Sequence, residues 1–283
     1  LSSESVKLAA TARELLASVR AKRPLIQCVT NFVSMDLVAN ALHALGASPA
    51  MASAPEEANE FAAIANAIVC NIGTLSRDRV ECLEAVAGAA RAHGKPWVLD
   101  PVGVGATRFR GETAQALLRH RPTVIRGNAS EIMALARLFG IVVGDENAKP
   151  RGVDAVHASE AAEPAALALA RMFSCVIIVS GRVDLVTNGA LVARVNNGAP
   201  VMTRVTAMGC ALSGATGAFL AVTGNPFEAS VAAVAVFGVA GELAAVSGAG
   251  PGTFRVNFLD RLHDLSPDAL RTSLKIDVAH ARA

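Results

Sequence analysis

Three positions in the chain combine a reactive side chain with a setting that could use it: Asp100, Glu131 and Cys210. Asp100 ends an apolar run and opens Asp-Pro-Val-Gly-Val-Gly-Ala. A carboxylate so placed can hold a hydrated Mg²⁺, and glycine backbone can come close to phosphates. The same aspartate could equally satisfy amides of its own turn. Glu131 closes Asn128-Ala-Ser-Glu131, the spacing of a helix N-cap followed by an acid in the first turn. Because the two acids follow successive apolar runs, they could jointly anchor one Mg²⁺, directly or through water. Arg126 lies just before that cap and would be costly to bury unless paired or facing an anion, such as a nucleotide phosphate.

Cys210 stands at the head of a helical stretch that carries no charged residue from 205 to 227. The first amides of a helix have no intrahelical acceptors, so phosphate, developing phosphoryl charge or a thiolate is favoured there. Cys28, Cys70, Cys82 and Cys175 read instead as small buried residues. Five cysteines, odd in number and never spaced CxxC, argue against a disulfide framework or a structural zinc site and for a reducing cytosol. The six histidines show no paired spacing, there is no Walker lysine, and Gly-Val-Gly-Ala lacks the third glycine of a dinucleotide fingerprint.

The elements that must position these residues follow from hydrophobic periodicity. β-Branched apolar runs at 24–30, 47–51, 67–73, 96–102, 122–128 and 175–181 alternate with helical patterns. That alternation predicts an α/β chain with a largely parallel sheet and right-handed crossovers. After Ser180 the pattern predicts a hairpin turning at Asn188-Gly189; the last third reads as mostly helical, and 140–157 as a long mobile loop. No linker, repeat or lid insertion interrupts the chain, so residues 1–283 read as one domain. Each apolar run ends in a polar or glycine cluster, and such clusters converge outside the carboxyl ends of an open sheet. One composite site is expected there.

With 52% hydrophobic residues, one Trp and no Tyr, the chain suits helices packed closely on both faces of a sheet. A net charge of +2 without basic clusters gives no case for nucleic acid. The apolar run at 229–241 is too short to span a membrane, and 205–227 is broken by small polar residues and Pro226, so both read as buried helices.

Gln27-Cys28-Val29-Thr30-Asn31, the segment ending at Met51, Asn71-Ile-Gly-Thr74, the Asp100 loop, Ile125 through Glu131, Ser180-Gly and Val205 through Leu212 occur in one order. In that order they resemble the hydroxyethylthiazole kinase family of the ribokinase-like superfamily, over nearly the whole chain. The resemblance implies a three-layer α/β/α fold without a lid and ATP-dependent phosphorylation of 4-methyl-5-(2-hydroxyethyl)thiazole, a thiamine salvage step. It implies that Met51, Asn31, Gly73 and Ala207 meet the thiazole, Arg126 and Ser180 meet ATP, Asp100 and Glu131 organise Mg²⁺, and Cys210 is catalytic. It also implies a homotrimer whose thiazole sites lie between subunits, and the cysteine pattern makes a cytoplasmic location the expectation.

Related kinases carry an Asp base where Cys210 stands. The helix N-terminus is expected to lower the thiol's pKa below its ordinary value of about 8.5, and an approaching phosphate to push it back up, giving a modest base. Where the family pattern has Gly-Thr-Gly-Cys, this chain has Ala207-Met208-Gly209-Cys210. The Cβ of Ala207 disfavours positive φ, so this loop is expected to shift or to trim the pocket. The residue pattern alone leaves room for a kinase of another primary alcohol, a cysteine-nucleophile enzyme or a non-catalytic nucleotide binder.

Overall fold

The computed structural model describes residues 3–141, 158–245 and 250–281. The strands are β1 (Leu25–Val29), β2 (Ser48–Ala50), β3 (Ala67–Asn71), β4 (Trp97–Asp100), β5 (Val124–Asn128), β6 (Val176–Ser180), β7 (Asp184–Thr187), β8 (Leu191–Val195) and β9 (Ile276–His280). They form one nine-stranded sheet in the order β2-β1-β3-β4-β5-β6-β7-β8-β9. The first six in sequence are mutually parallel. The last three add on as antiparallel strands. The expected parallel sheet and hairpin are both present, with Asn188 Oδ1 accepting the Ala190 and Leu191 amides at the turn. The final strand departs from the helical reading of the last third. Ile276-Asp-Val-Ala-His280 is a half-exposed edge strand whose register is set by β8. Most of the expected mobile loop, 142–157, lies outside the described residues.

Two helical layers cover the sheet. One comprises α1 (Ser3–Lys22), α2 (Met35–Leu45), α9 (Met208–Leu220), α10 (Pro226–Ala245), α11 (Pro251–Asp264) and α12 (Pro267–Ser273). The other comprises α3 (Ala58–Ile64), α4 (Arg77–Ala92), α5 (Arg108–Leu118), α6 (Ala129–Arg137), α7 (Ala158–Ala161) and α8 (Glu163–Phe173). α10 is longer than its apolar run suggested: it has 20 residues, enough by length and composition to cross a membrane, but 83% of its apolar window is buried inside the protein. It is a core helix, and its Ala-rich surface lets α1, α9 and α11 pack against it.

Strand alternation decides which side chains meet α9. Successive side chains point to opposite faces. Val69, Val98, Val124 and Ile178 pack in the core beneath the α9 layer, whereas Cys70, Leu99, Ile125 and Val179 pack beneath the other. Counting two residues on, Asn71, Asp100, Arg126 and Ser180 must face α9 at the carboxyl ends of four adjacent strands. Small residues bring that helix down onto them: a Cβ on Gly217 would sit 2.9 Å from Val69 Cγ2.

Candidate active site

The site lies where the amino end of α9 meets the carboxyl ends of β1, β3, β4, β5 and β6. The helix begins at Met208, with Ala207 as its N-cap and no side chain capping its first amides. Ala211 N already bonds Ala207 O, so the amides of residues 208–210 are the helix's orphan donors. Ala207 adopts φ 69°, the left-handed conformation. The expectation of a shifted loop is therefore corrected. The chain accepts the strain, about 1–2 kcal/mol for an L-residue, and keeps the turn.

Beneath those amides lies a buried polar chain. Asn31 Oδ1 accepts the Ser34 amide, and its Nδ2 donates to Asn71 Oδ1 at 2.9 Å and to Cys210 Sγ at 3.3 Å. Asn71 Nδ2 donates to Cys210 Sγ at 3.2 Å and to Asp100 Oδ2 at 2.8 Å, and Ser213 Oγ donates to the same carboxylate oxygen at 2.8 Å. Gly73 gives its amide to Asn71 Oδ1 and lies so close to Asn31 that any Cβ would overlap that side chain. Asp100 is fully buried, and its Oδ1 has no hydrogen-bond partner among the described residues.

Arg126 flanks the carboxylate, with Nη1 3.9 Å from Asp100 Oδ2. It hydrogen-bonds Ser180 Oγ and presses against Gly209, where a Cβ would overlap the guanidinium. Glycine at 209 is thus what lets this charge lie beside the orphan amides. Met51 follows β2 at the opposite side, half-buried against the α9 layer and three strand positions from Asp100. The structure therefore brings Asn31, Gly73, Asp100, Arg126, Ser180 and Cys210 together around the head of α9, with Ala207 as its cap and Met51 towards the sheet edge.

Glu131 is held differently. It is the reciprocal partner of Asn128 in a capping box, its Oε2 accepting the Asn128 amide at 2.9 Å. Its Oε1 accepts the Gly103 amide at 2.8 Å. The glycine loop after β4 is thereby docked onto α6, where a Cβ on Gly105 would sit 2.6 Å from Ala134. Close docking requires glycine at 105, and the left-handed φ of 70° and 91° favours glycine at both 103 and 105.

Electrostatics corrects one expectation. Burial first, and the charge of Asp100 second, push the Cys210 thiol above its ordinary pKa, against the Asn31 and Asn71 donors and Arg126. The helix terminus does not produce a ready thiolate. Burial likewise pushes Asp100 up to about 6; Arg126 opposes this, Glu131 adds to it, and the Ser213 and Asn71 donors pull it back. The other four cysteines are buried, in keeping with a packing role.

Among the described residues no cluster of three or more His, Cys, Asp or Glu could cage a metal ion. The partnerless Oδ1 of Asp100, with Glu131 adding to the local negative charge, fits a Mg²⁺ that these two acids would hold directly or through water.

The sequence pattern alone assigns no role to Asn71, Ser213, Arg79 or Arg110. Arg79 donates to Thr30 O and stacks over Phe32, 4.7 Å from its ring centre. Arg110 Nη1 donates to Ile72 O at 2.6 Å and Val102 O at 2.7 Å, tying together the loops after β3 and β4. The polar strand ends were a signal for Asn71; only the helical offset of three from Cys210 pointed to Ser213.

The model of the "HK: Hydroxyethylthiazole kinase family" matches residues 16–268. A hydroxyethylthiazole kinase of Cereibacter sphaeroides is 53% identical over 264 residues, covering 93% of this chain and 97% of that protein. One from Rhizobium leguminosarum bv. trifolii is 47% identical over 266 residues, covering 94% and 97%. Among solved structures, the hydroxyethylthiazole kinase protein of Pyrococcus horikoshii OT3 superposes with a TM-score of 0.86 at 38% identity, over 95% of this chain and 98% of that one. The pyridoxal kinase of Staphylococcus aureus with AMP-PCP and pyridoxal gives 0.58 at 14% identity, over 91% and 98%, a likeness of fold alone.

Proposed function

Because this chain belongs to the hydroxyethylthiazole kinase family, we propose that the cleft under α9 carries out ATP-dependent phosphorylation of the hydroxyl of 4-methyl-5-(2-hydroxyethyl)thiazole, a thiamine salvage step. One observation carries the assignment of chemistry to this cleft. The uncapped amides of α9, the Arg126 guanidinium and the buried Asp100 carboxylate converge on one space.

Phosphoryl transfer is mainly positioning and charge stabilisation. Arg126, held by Ser180, meets the ATP phosphates, and the amides of residues 208–210 receive the charge that builds on the transferring group. Asn31, Gly73, Ala207 and Met51 meet the thiazole and orient its hydroxyl towards α9. Asp100 and Glu131 would hold Mg²⁺ with the nucleotide, directly or through water, and the ion would neutralise phosphate charge. Cys210 accepts the hydroxyl proton only through its small thiolate fraction, so its contribution is modest, about 10²-fold.

The functional unit is proposed to be a single-domain chain in a cytoplasmic homotrimer with sites between subunits. Phe32 and Val33, 65% and 62% exposed on the loop beside Asn31, support this by offering an apolar rim that a second copy would cover. Five free cysteines suit a reducing compartment.

The test is ADP release with the thiazole alcohol, ATP and Mg²⁺, omitting each in turn. Turnover is expected only with all three. Equal ADP release without the alcohol, or a clear preference for pyridoxal or a hydroxymethylpyrimidine, would sink the substrate assignment.

A further inference from the structure

Asn71 holds a place that no role yet assigned explains. It is buried at the end of β3, paired in register with Asp100 on β4, and every polar atom of its side chain is used. Its orientation is not ambiguous. Gly73 N–H can only donate, so the atom 2.9 Å away must be the Asn71 carbonyl oxygen. The amide nitrogen therefore faces the other way, one hydrogen to Asp100 Oδ2 and one to Cys210 Sγ. The Ser34 amide fixes Asn31 by the same logic, since it must meet Asn31 Oδ1. Asn31 then donates to both Asn71 Oδ1 and Cys210 Sγ.

The sulfur thus receives two N–H donors from the strand side. Of the two donors, only Asn71 also holds the carboxylate. Ser213 holds that carboxylate too, but no hydrogen bond joins it to the sulfur.

Resting on the kinase reading above, we propose that Asn71 is a positioning residue: its amide locks the Cys210 sulfur and the Asp100 carboxylate in one arrangement and acts on turnover through the sulfur. The amide undergoes no chemistry of its own. It removes rotamer freedom from a thiol that must meet the substrate hydroxyl, and effects of groups that act as one unit are non-additive.

The experiment is a double-mutant cycle with Asn71→Ala, Cys210→Ala and the combined variant, each checked for a cooperative melt. Asn71→Ala is expected to lower kcat about tenfold while leaving KM for ATP unchanged. The combined variant is expected to lose clearly less than the product of the two single losses, the remainder being what the amide does for Asp100. If Asn71→Ala does not fold, Asn71→Ser, which adds no charge beside Asp100, takes its place in the cycle. A kcat equal to wild type, or losses that multiply in the combined variant, would overturn the proposal.

A crystal structure of the same single variant reads the proposal without turnover. The Cys210 sulfur is expected to move or to occupy more than one rotamer, and an unmoved sulfur would equally overturn it. Failure of the wild type to phosphorylate the thiazole alcohol would sink the substrate reading, and the structural arm would still decide the role of Asn71.

Discussion

The end of β4 and the first turn of α6 after β5 each present an acid at the same end of the sheet, and the two acids are held in opposite ways. Among the described residues Asp100 is gripped by side chains, Asn71 and Ser213 on one oxygen, with Arg126 nearby and the other oxygen without a partner. Glu131 is gripped by backbone, one amide on each oxygen, and in return it caps a helix and docks a loop. A carboxylate with a spare oxygen in a dry pocket is poised to bind something and is costly to keep charged. One saturated by amides stabilises its own surroundings. The comparison assigns chemistry chiefly to the first and architecture chiefly to the second, although both were candidates for one metal.

The sharpest way to break that contrast is Asp100→Asn. Turnover is expected to fall about 10³-fold or more, since metal and phosphate charge lose their buried partner. Stability should move the other way. An acid whose pKa rises from 3.8 to about 6 on folding stabilises the fold at pH below its unfolded value, and that contribution is lost as pH rises through about 6. Two units correspond to about 3 kcal/mol, an upper bound here because Arg126 loses its counter-charge. Thermal melts at pH 7.5 should place the Asn variant above wild type, with the gap closing near pH 4. A lower melting temperature at pH 7.5 would contradict the account.

Next in size is Cys210→Ala, expected to be slowed about 10²-fold, whereas Cys210→Asp should still turn over. Because burial raises the thiol pKa, wild-type kcat should climb with pH above neutrality, and the Asp variant should lack that climb. Steady-state rates across pH 6 to 10 decide it. Total loss of ATP binding in the alanine variant would point to a collapsed pocket instead.

Glu131→Gln tests the architectural half. A glutamine can serve only one of the two amides, which should cost about 1–2 kcal/mol in urea unfolding and only a few-fold in kcat. A loss of turnover as deep as that of Asp100→Asn, without a loss of stability, would erase the distinction between the strand ends. The smallest effect is expected from Ala207→Gly. It relieves the left-handed strain at a gain of about 1 kcal/mol, part of which the entropy of the unfolded glycine offsets.

Much of this was legible in the sequence because the parallel strands are continuous apolar runs whose polar ends are easily read. The spacing of Asn128-Ala-Ser-Glu131 is by itself that of the capping box the structure shows. What remained hidden needed tertiary contact. Asn71 looks like any polar strand end until α9, some 140 residues later, lays Cys210 against it. The thiol's direction of shift was misread because helix-terminal charge is visible in sequence whereas burial beside Asp100 is not. Ala207 was expected to refuse positive φ, and propensity alone could not show that the turn would override it. β9 was missed because its outer face is half polar and only β8 gives it a register.

The sheet's two rims carry one more consequence. At one side β2 is only three residues long and has Pro49 at its centre; at the other β9 bears Asp277 and His280. Short length, a missing amide hydrogen and outward charge all discourage a foreign strand from docking in register. A chain with this much aliphatic content therefore offers little template for fibrillar growth while it stays folded.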